Sequence, residues 1–101
     1  MTTTVTDNRD EQRFEIHVDG ARAGIAEYRR REGVIALTHT EVDPGHEGQG
    51  LAGRLVRGAL DDARSQGLAV HPHCPFVRDY IAKHDEYLDL VPEDQRARFD
   101  L

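Results

Sequence analysis

Val42-Asp43-Pro44-Gly45-His46-Glu47-Gly48-Gln49-Gly50-Leu51-Ala52-Gly53 joins a strand-like run (residues 34–42) to a helix-like run (residues 51–66). Three glycines fall within six residues where the helix begins. Inside a helix Gly costs about 0.5–1 kcal/mol relative to Ala, so packing alone does not account for them. Glycines admit a bulky partner to the backbone. The first turn of a helix also carries unpaired N–H groups and the positive end of the macrodipole. The stretch therefore reads as an anion cradle, most often one for phosphate.

Working outward, residues 34–42 are rich in β-branched side chains and form the best strand in the chain. Before them, Phe14, Ile16 and Val18 alternate with polar residues, the period of a strand with one buried face. Asp19-Gly20 is a hairpin-turn signal, and residues 22–30 read as the returning strand. Glu32-Gly33 supplies the next turn, so the first half is an antiparallel meander. After the loop, Leu51, Ala52, Leu55, Val56, Ala59, Leu60 and Ala63 share one helical face, and Gly67 is placed to end that helix in the left-handed conformation. Residues 68–70 begin a further strand, parallel to the one before the helix because a helical crossover joins them. Pro72 and Pro75 cut it short. Residues 76–84 read as a second helix with Phe76, Val77, Tyr80 and Ile81 inward, residues 87–91 as a packed turn, and residues 92–101 as a terminal helix.

The chain of 101 residues suits one domain, residues 13–101, preceded by a flexible polar tail, residues 1–12. No apolar run approaches the roughly 20 residues of a membrane span, and the N-terminus lacks the apolar centre of a secretory signal. A formal charge of −6 argues against nucleic acid as a partner. Arg29-Arg30-Arg31 is the only basic run and reads as a solvated strand end. One cysteine, Cys74, forbids an internal disulfide and suits a reducing cytoplasm, the expected location. The expected state is a monomer or weak homodimer.

Gly48-Gln49-Gly50-Leu51-Ala52-Gly53 matches the GxGxxG dinucleotide fingerprint literally. That fingerprint expects an acid at the end of the next strand, and Val70-His71-Pro72-His73-Cys74 has none. A P-loop requires Lys-Ser/Thr after its last Gly, and Leu51 follows Gly50. A third reading rests on a strand, a loop of pattern Arg/Gln-x-x-Gly-x-Gly/Ala, and a long amphipathic helix. Here the loop reads Glu47-Gly48-Gln49-Gly50-Leu51-Ala52. It is joined by His39-Thr40-Glu41-Val42, Cys74-Pro75-Phe76, and a Tyr80-Ile81-x-x-His84-x-Glu86-Tyr87 segment. In these features, over residues 14–91, the chain resembles the small single-domain branch of the GCN5-related N-acetyltransferases.

That resemblance implies an α+β acyl-CoA N-acyltransferase fold, a mixed and mostly antiparallel sheet flanked by helices. It implies acetyl-CoA as cosubstrate, its pantetheine along Thr40, Glu41 and Val42, and its pyrophosphate on the N–H groups of Gly48, Gln49, Gly50, Leu51, Ala52 and Gly53. Glu47 departs from the family's Arg or Gln, which bears on coenzyme A affinity. Lys83 and His84, or Arg54 and Arg57, are candidates for the 3′-phosphate.

The implied reaction is acetyl transfer to a primary amine: a protein lysine, a protein N-terminus or a small amine. It needs a neutral nucleophile and a proton for the leaving thiolate. Cys74 is a candidate acid or acetyl acceptor, with His71 or His73 able to lower its pKa, although direct transfer is favoured over an acetyl-cysteine. His39 and Glu41 are candidate bases. The alternative reading is a non-catalytic acyl-CoA sensor or interaction module on the same fold. His71, His73 and Cys74 also resemble a metal cluster, but no second ligand pair stands at zinc spacing, and no metal is expected.

Overall fold

The computed structural model describes residues 2–101. Five strands lie in sequence order across one sheet: β1 (Thr3–Asn8), β2 (Arg13–Val18), β3 (Ala21–Arg31), β4 (Val34–Val42) and β5 (Ala69–Pro72). The first three pairings are antiparallel and the β4–β5 pairing is parallel, with α1 (Leu51–Ser65) as its crossover. The chain closes with α2 (Pro75–Lys83), a 3-10 turn (Asp85–Leu90), α3 (Glu93–Arg96) and a second 3-10 turn (Ala97–Phe99). This is the mixed, mostly antiparallel sheet that the alternation patterns require.

The β2–β3 turn is made by Asp19 and Gly20 at φ 50° and 86°. Both left-handed, they match the twist of a two-residue hairpin. One face of the sheet buries Phe14, Ile16, Ala26, Tyr28, Ile35, Leu37 and Val70. Against it α1 lays Leu51, Leu55, Val56, Ala59, Leu60 and Ala63, all buried. Among the described residues no polar or charged side chain is buried in that core. Gly67, at φ 68°, follows α1 as its left-handed terminator.

Residues 3–8 are not a flexible tail but the outermost strand. Thr3 pairs with Val18 and Asn8 with Arg13. Low hydrophobicity hides this strand, because threonines supply the β propensity and only Val5 supplies an apolar contact. Val5 meets Gly58 of α1, where a Cβ would lie 2.9 Å from Val5 Cγ1. The Tyr28 hydroxyl donates to Asp7 Oδ1 at 2.6 Å. Burial first, and this bond second, push the Tyr28 pKa up to about 12.

Two further expectations change. Phe76 is 42% exposed rather than inward. Nine-residue α2 buries Val77 and Ile81, one turn apart, and Phe76 lies off that stripe. The terminal helix over 92–101 is broken into α3 and a 3-10 turn, ending at Asp100 with φ 58°. Arg78 holds this end by donating to the carbonyls of Phe99 (3.0 Å) and Asp100 (2.7 Å).

Candidate active site

The β4–β5 ladder runs from Val34↔Ala69 to Leu37↔Pro72 and stops, while β4 continues to Val42 paired only with β3. Pro72 has no N–H to extend the ladder. The Cys74 N–H donates to the Leu37 carbonyl at 2.9 Å and closes the paired segment. Beyond it the chain turns into α2, and β4 from Thr38 to Val42 has no β5 partner on that side; this unpaired edge is the gap.

A β-bulge sits at the same place. His39 opposes Glu27 and Leu37 opposes Tyr28, so Thr38 is the extra residue. Strict alternation places His39 and Glu41 on the buried face with Leu37. The bulge turns them out: His39 Nε2 lies 4.0 Å from Glu41 Oε2, with the side chains 56% and 62% exposed. Thr40 and Val42, opposite Ala26 and Gly24, take the inward positions instead. Bulges re-aim side chains in this way. No glycine marks this one, so nothing in the sequence predicts it. Gly24 is a second residue that sequence reasoning passed over. A Cβ there would stand 2.7 Å from the Glu41 carbonyl oxygen, so only glycine lets β3 approach β4 beside this pair. An isolated glycine within a strand pattern is the available signal.

Cys74 stands at the junction as the N-cap residue of α2. It is 4% exposed, and its Sγ donates to Thr40 Oγ1 at 3.5 Å. A side chain of β4 and the first residue of the turn into α2 thus meet where the β4–β5 ladder ends. His71 and His73 are not part of this contact. Their rings pack on Phe99 at 6.0 and 5.1 Å, lining the opposite face of the sheet. Burial first, then Arg98 and His71, lower the His73 pKa. Among the described residues no three His, Cys, Asp or Glu side chains are grouped as metal ligands would be.

The glycine loop has the geometry of a cradle. Gly45, Gly48 and Gly50 have φ of 92°, 79° and 72°, and a Cβ at any of them would meet nothing within 4 Å. Gly50 is the N-cap of α1, with no side-chain cap and no acidic residue in the first turn. The first helical bond is from the Arg54 N–H to the Gly50 carbonyl, 3.2 Å, so the N–H groups of Leu51, Ala52 and Gly53 precede the intrahelical ladder. Gly53 brings α1 close to the Tyr80 ring, 3.7 Å from where its Cβ would be. Buried Leu51 anchors the turn, while Glu47, Gly48 and Gln49 are exposed. His46 Nδ1 is buried without a hydrogen-bond partner among the described residues, a further polar atom in the loop that sequence reasoning missed. Left-handed glycines, open space, free N–H donors and an orphaned imidazole nitrogen form a donor set that fits a diphosphate.

Lys83 and His84 end α2. Lys83 is exposed. The His84 ring stacks on Tyr80 at 4.0 Å and 13°, with Nδ1 2.8 Å from the Tyr80 carbonyl. That leaves Nε2 as its outward nitrogen.

Residues 13–90 match the profile of the GCN5-related N-acetyl-transferase family, which spans the meander, the cradle and the gap together. The chain belongs to the GCN5-related N-acetyltransferases. Among similar proteins, Protein NATD1 of Mus musculus is 27% identical over 91 residues, covering 86% of this chain and 83% of the relative. Protein NATD1 of Homo sapiens is also 27% identical over 91 residues, covering 86% and 80%. The fold resembles a solution structure described as GCN5-like from Staphylococcus aureus, with a TM-score of 0.67 at 24% identity over 88% of this chain and 87% of that one. Family and architecture thus agree with the gap and the glycine loop as one acetyltransferase domain.

Proposed function

We propose that this domain transfers the acetyl group of acetyl-CoA to a primary amine, directly within a ternary complex. The observation that carries the proposal is the arrest of the β4–β5 ladder at Leu37 and Pro72, with the open glycine cradle downstream of the same β4. The backbone N–H groups of Gly48, Gln49, Gly50, Leu51, Ala52 and Gly53 would hold the pyrophosphate, and β4 from Thr40 to Val42 the pantetheine. Bound there, acetyl-CoA supplies an activated acyl thioester. His39 and Glu41, exposed and adjacent, are placed to take the proton an ammonium must lose before it is nucleophilic. The Cys74 thiol, which donates to Thr40 Oγ1 at 3.5 Å, would protonate the departing thiolate. Its burial favours this role over a covalent acetyl-cysteine.

One observation favours a second reading, an acyl-CoA sensor without turnover. Exposed Glu47 stands in the loop that must hold a dianion. Coenzyme A release measured over an amine panel separates the two. Transfer predicts amine-dependent thiol release that falls at least tenfold in Cys74→Ala with acetyl-CoA affinity kept. Binding without release on any amine supports the sensor, and full activity in Cys74→Ala removes the thiol from the chemistry.

A further inference from the structure

The sheet face opposite α1 carries a cavity of about 520 Å³. Its charged lining is Arg29 and Arg31 of β3, Glu32, and Arg98 of the C-terminal turn, with His71 and His73 beside them. Val34 and Ala36 of β4 are half-buried and supply an apolar floor. Among the described residues none of the three arginines lies within 4.0 Å of a carboxylate, whereas Arg13, Arg64 and Arg78 are each paired. This concentration of unneutralised guanidinium stands in a chain whose net charge is −6.

We propose that this cavity selects the acceptor by taking the carboxylates of an acidic peptide segment that flanks the acceptor lysine. The inference rests on the acetyltransferase reading of the neighbouring gap. Guanidinium groups recognise carboxylates through paired, charge-assisted hydrogen bonds, and a floor of small apolar side chains admits their methylenes. Burial first, then the positive charge of Arg98 and His71, lower the His73 pKa beside these arginines. Position links the cavity to the chemistry. Thr38 lines its end and is also the bulge residue after which His39 and Glu41 emerge exposed. At a strand rise of about 3.3 Å per residue, Ala36 and His39 are roughly 10 Å apart. An extended acceptor lying along β4 with its lysine at His39 and Glu41 then sets an acid about three residues away over the arginines.

The test is fluorescence anisotropy without acetyl-CoA, using a short labelled peptide with one central lysine flanked by glutamates and its glutamine-substituted counterpart. The acidic peptide should bind at least tenfold more tightly, with the preference shrinking as salt rises. The preference should vanish in Arg29→Gln/Arg98→Gln and survive in Arg22→Gln, a change outside the cavity. In the wild type, titrating the acidic peptide should shift the His71 and His73 ring resonances, a readout that needs no variant to fold. Equal affinity for the two peptides, or a preference that survives the double substitution, overturns the proposal. Loss of acetyl-CoA binding, measured separately by calorimetry, strikes the acetyltransferase reading and leaves the peptide result to stand.

Discussion

Glu47, in the glycine loop, and His73, on the sheet face opposite α1, each carry a test of charge at a single residue. Glu47 lies exposed in the loop of left-handed glycines that the proposal assigns to a pyrophosphate. Like charges repel, but exposure screens them, so the penalty is on the order of an exposed ion pair, under about 1 kcal/mol. Glu47→Gln should therefore tighten acetyl-CoA binding by about threefold in calorimetry, and a weaker complex contradicts that placement. His73 behaves oppositely to a paired histidine. Its folded pKa lies below the ordinary 6.5, through burial first and then Arg98 and His71. Well above the unfolded value of 6.5 it costs nothing, because both states are neutral. As pH falls, the unfolded chain takes up the proton first, and stability is lost toward the folded value. His73→Gln should narrow the difference in Tm between pH 7 and pH 5. An unchanged or wider difference would remove the buried imidazole as its cause.

At the scale of elements, local chemistry explains what was legible and what was not. Asp19-Gly20, the apolar stripe of α1 and Gly67 each announce a structure that local sterics enforce, and all three stand as read. The left-handed glycines before α1 were legible for the same reason. Strand β1 was not, because its sequence, Thr-Thr-Val-Thr-Asp-Asn, looks solvated until Val5 is seen on Gly58. The outward placement of His39 and Glu41 came from a bulge with no sequence mark, a correction to the phase of β4 that alternation cannot supply. Phe76 failed because a two-turn helix buries a narrower stripe than its apolar residues suggest. The β1–α1 contact is directly testable. Gly58→Ala places a methyl 2.9 Å from Val5 Cγ1 and should destabilise the domain by about 1–2 kcal/mol in urea unfolding. Adding Val5→Ala should recover part of that loss, a favourable coupling between neighbours. Independent, additive effects would mean that residues 3–8 do not pack on α1 as described.

Across the whole molecule the two sheet faces divide the work. One is covered by α1 and forms the core, so its side chains are apolar and fixed by packing. The other carries the candidate bases at one end of β4 and unpaired arginines at the other, open to a large acceptor. The end of the β4–β5 ladder and the glycine-rich start of α1 are where the proposal puts the pantetheine and the diphosphate. Family membership fixes the class of domain, and the acetyl donor follows as the proposal of this geometry. Isothermal titration of the protein with acetyl-CoA tests it most directly. One-to-one saturable binding is predicted, weakened at least tenfold by Gly48→Asp. That change adds a carboxylate to the cradle where a Cβ meets nothing within 4 Å, at a φ of 79° that itself strains an L side chain, so folding of the variant is checked by its thermal melt. No detectable binding to the folded wild type, or equal affinity in Gly48→Asp, would contradict the account.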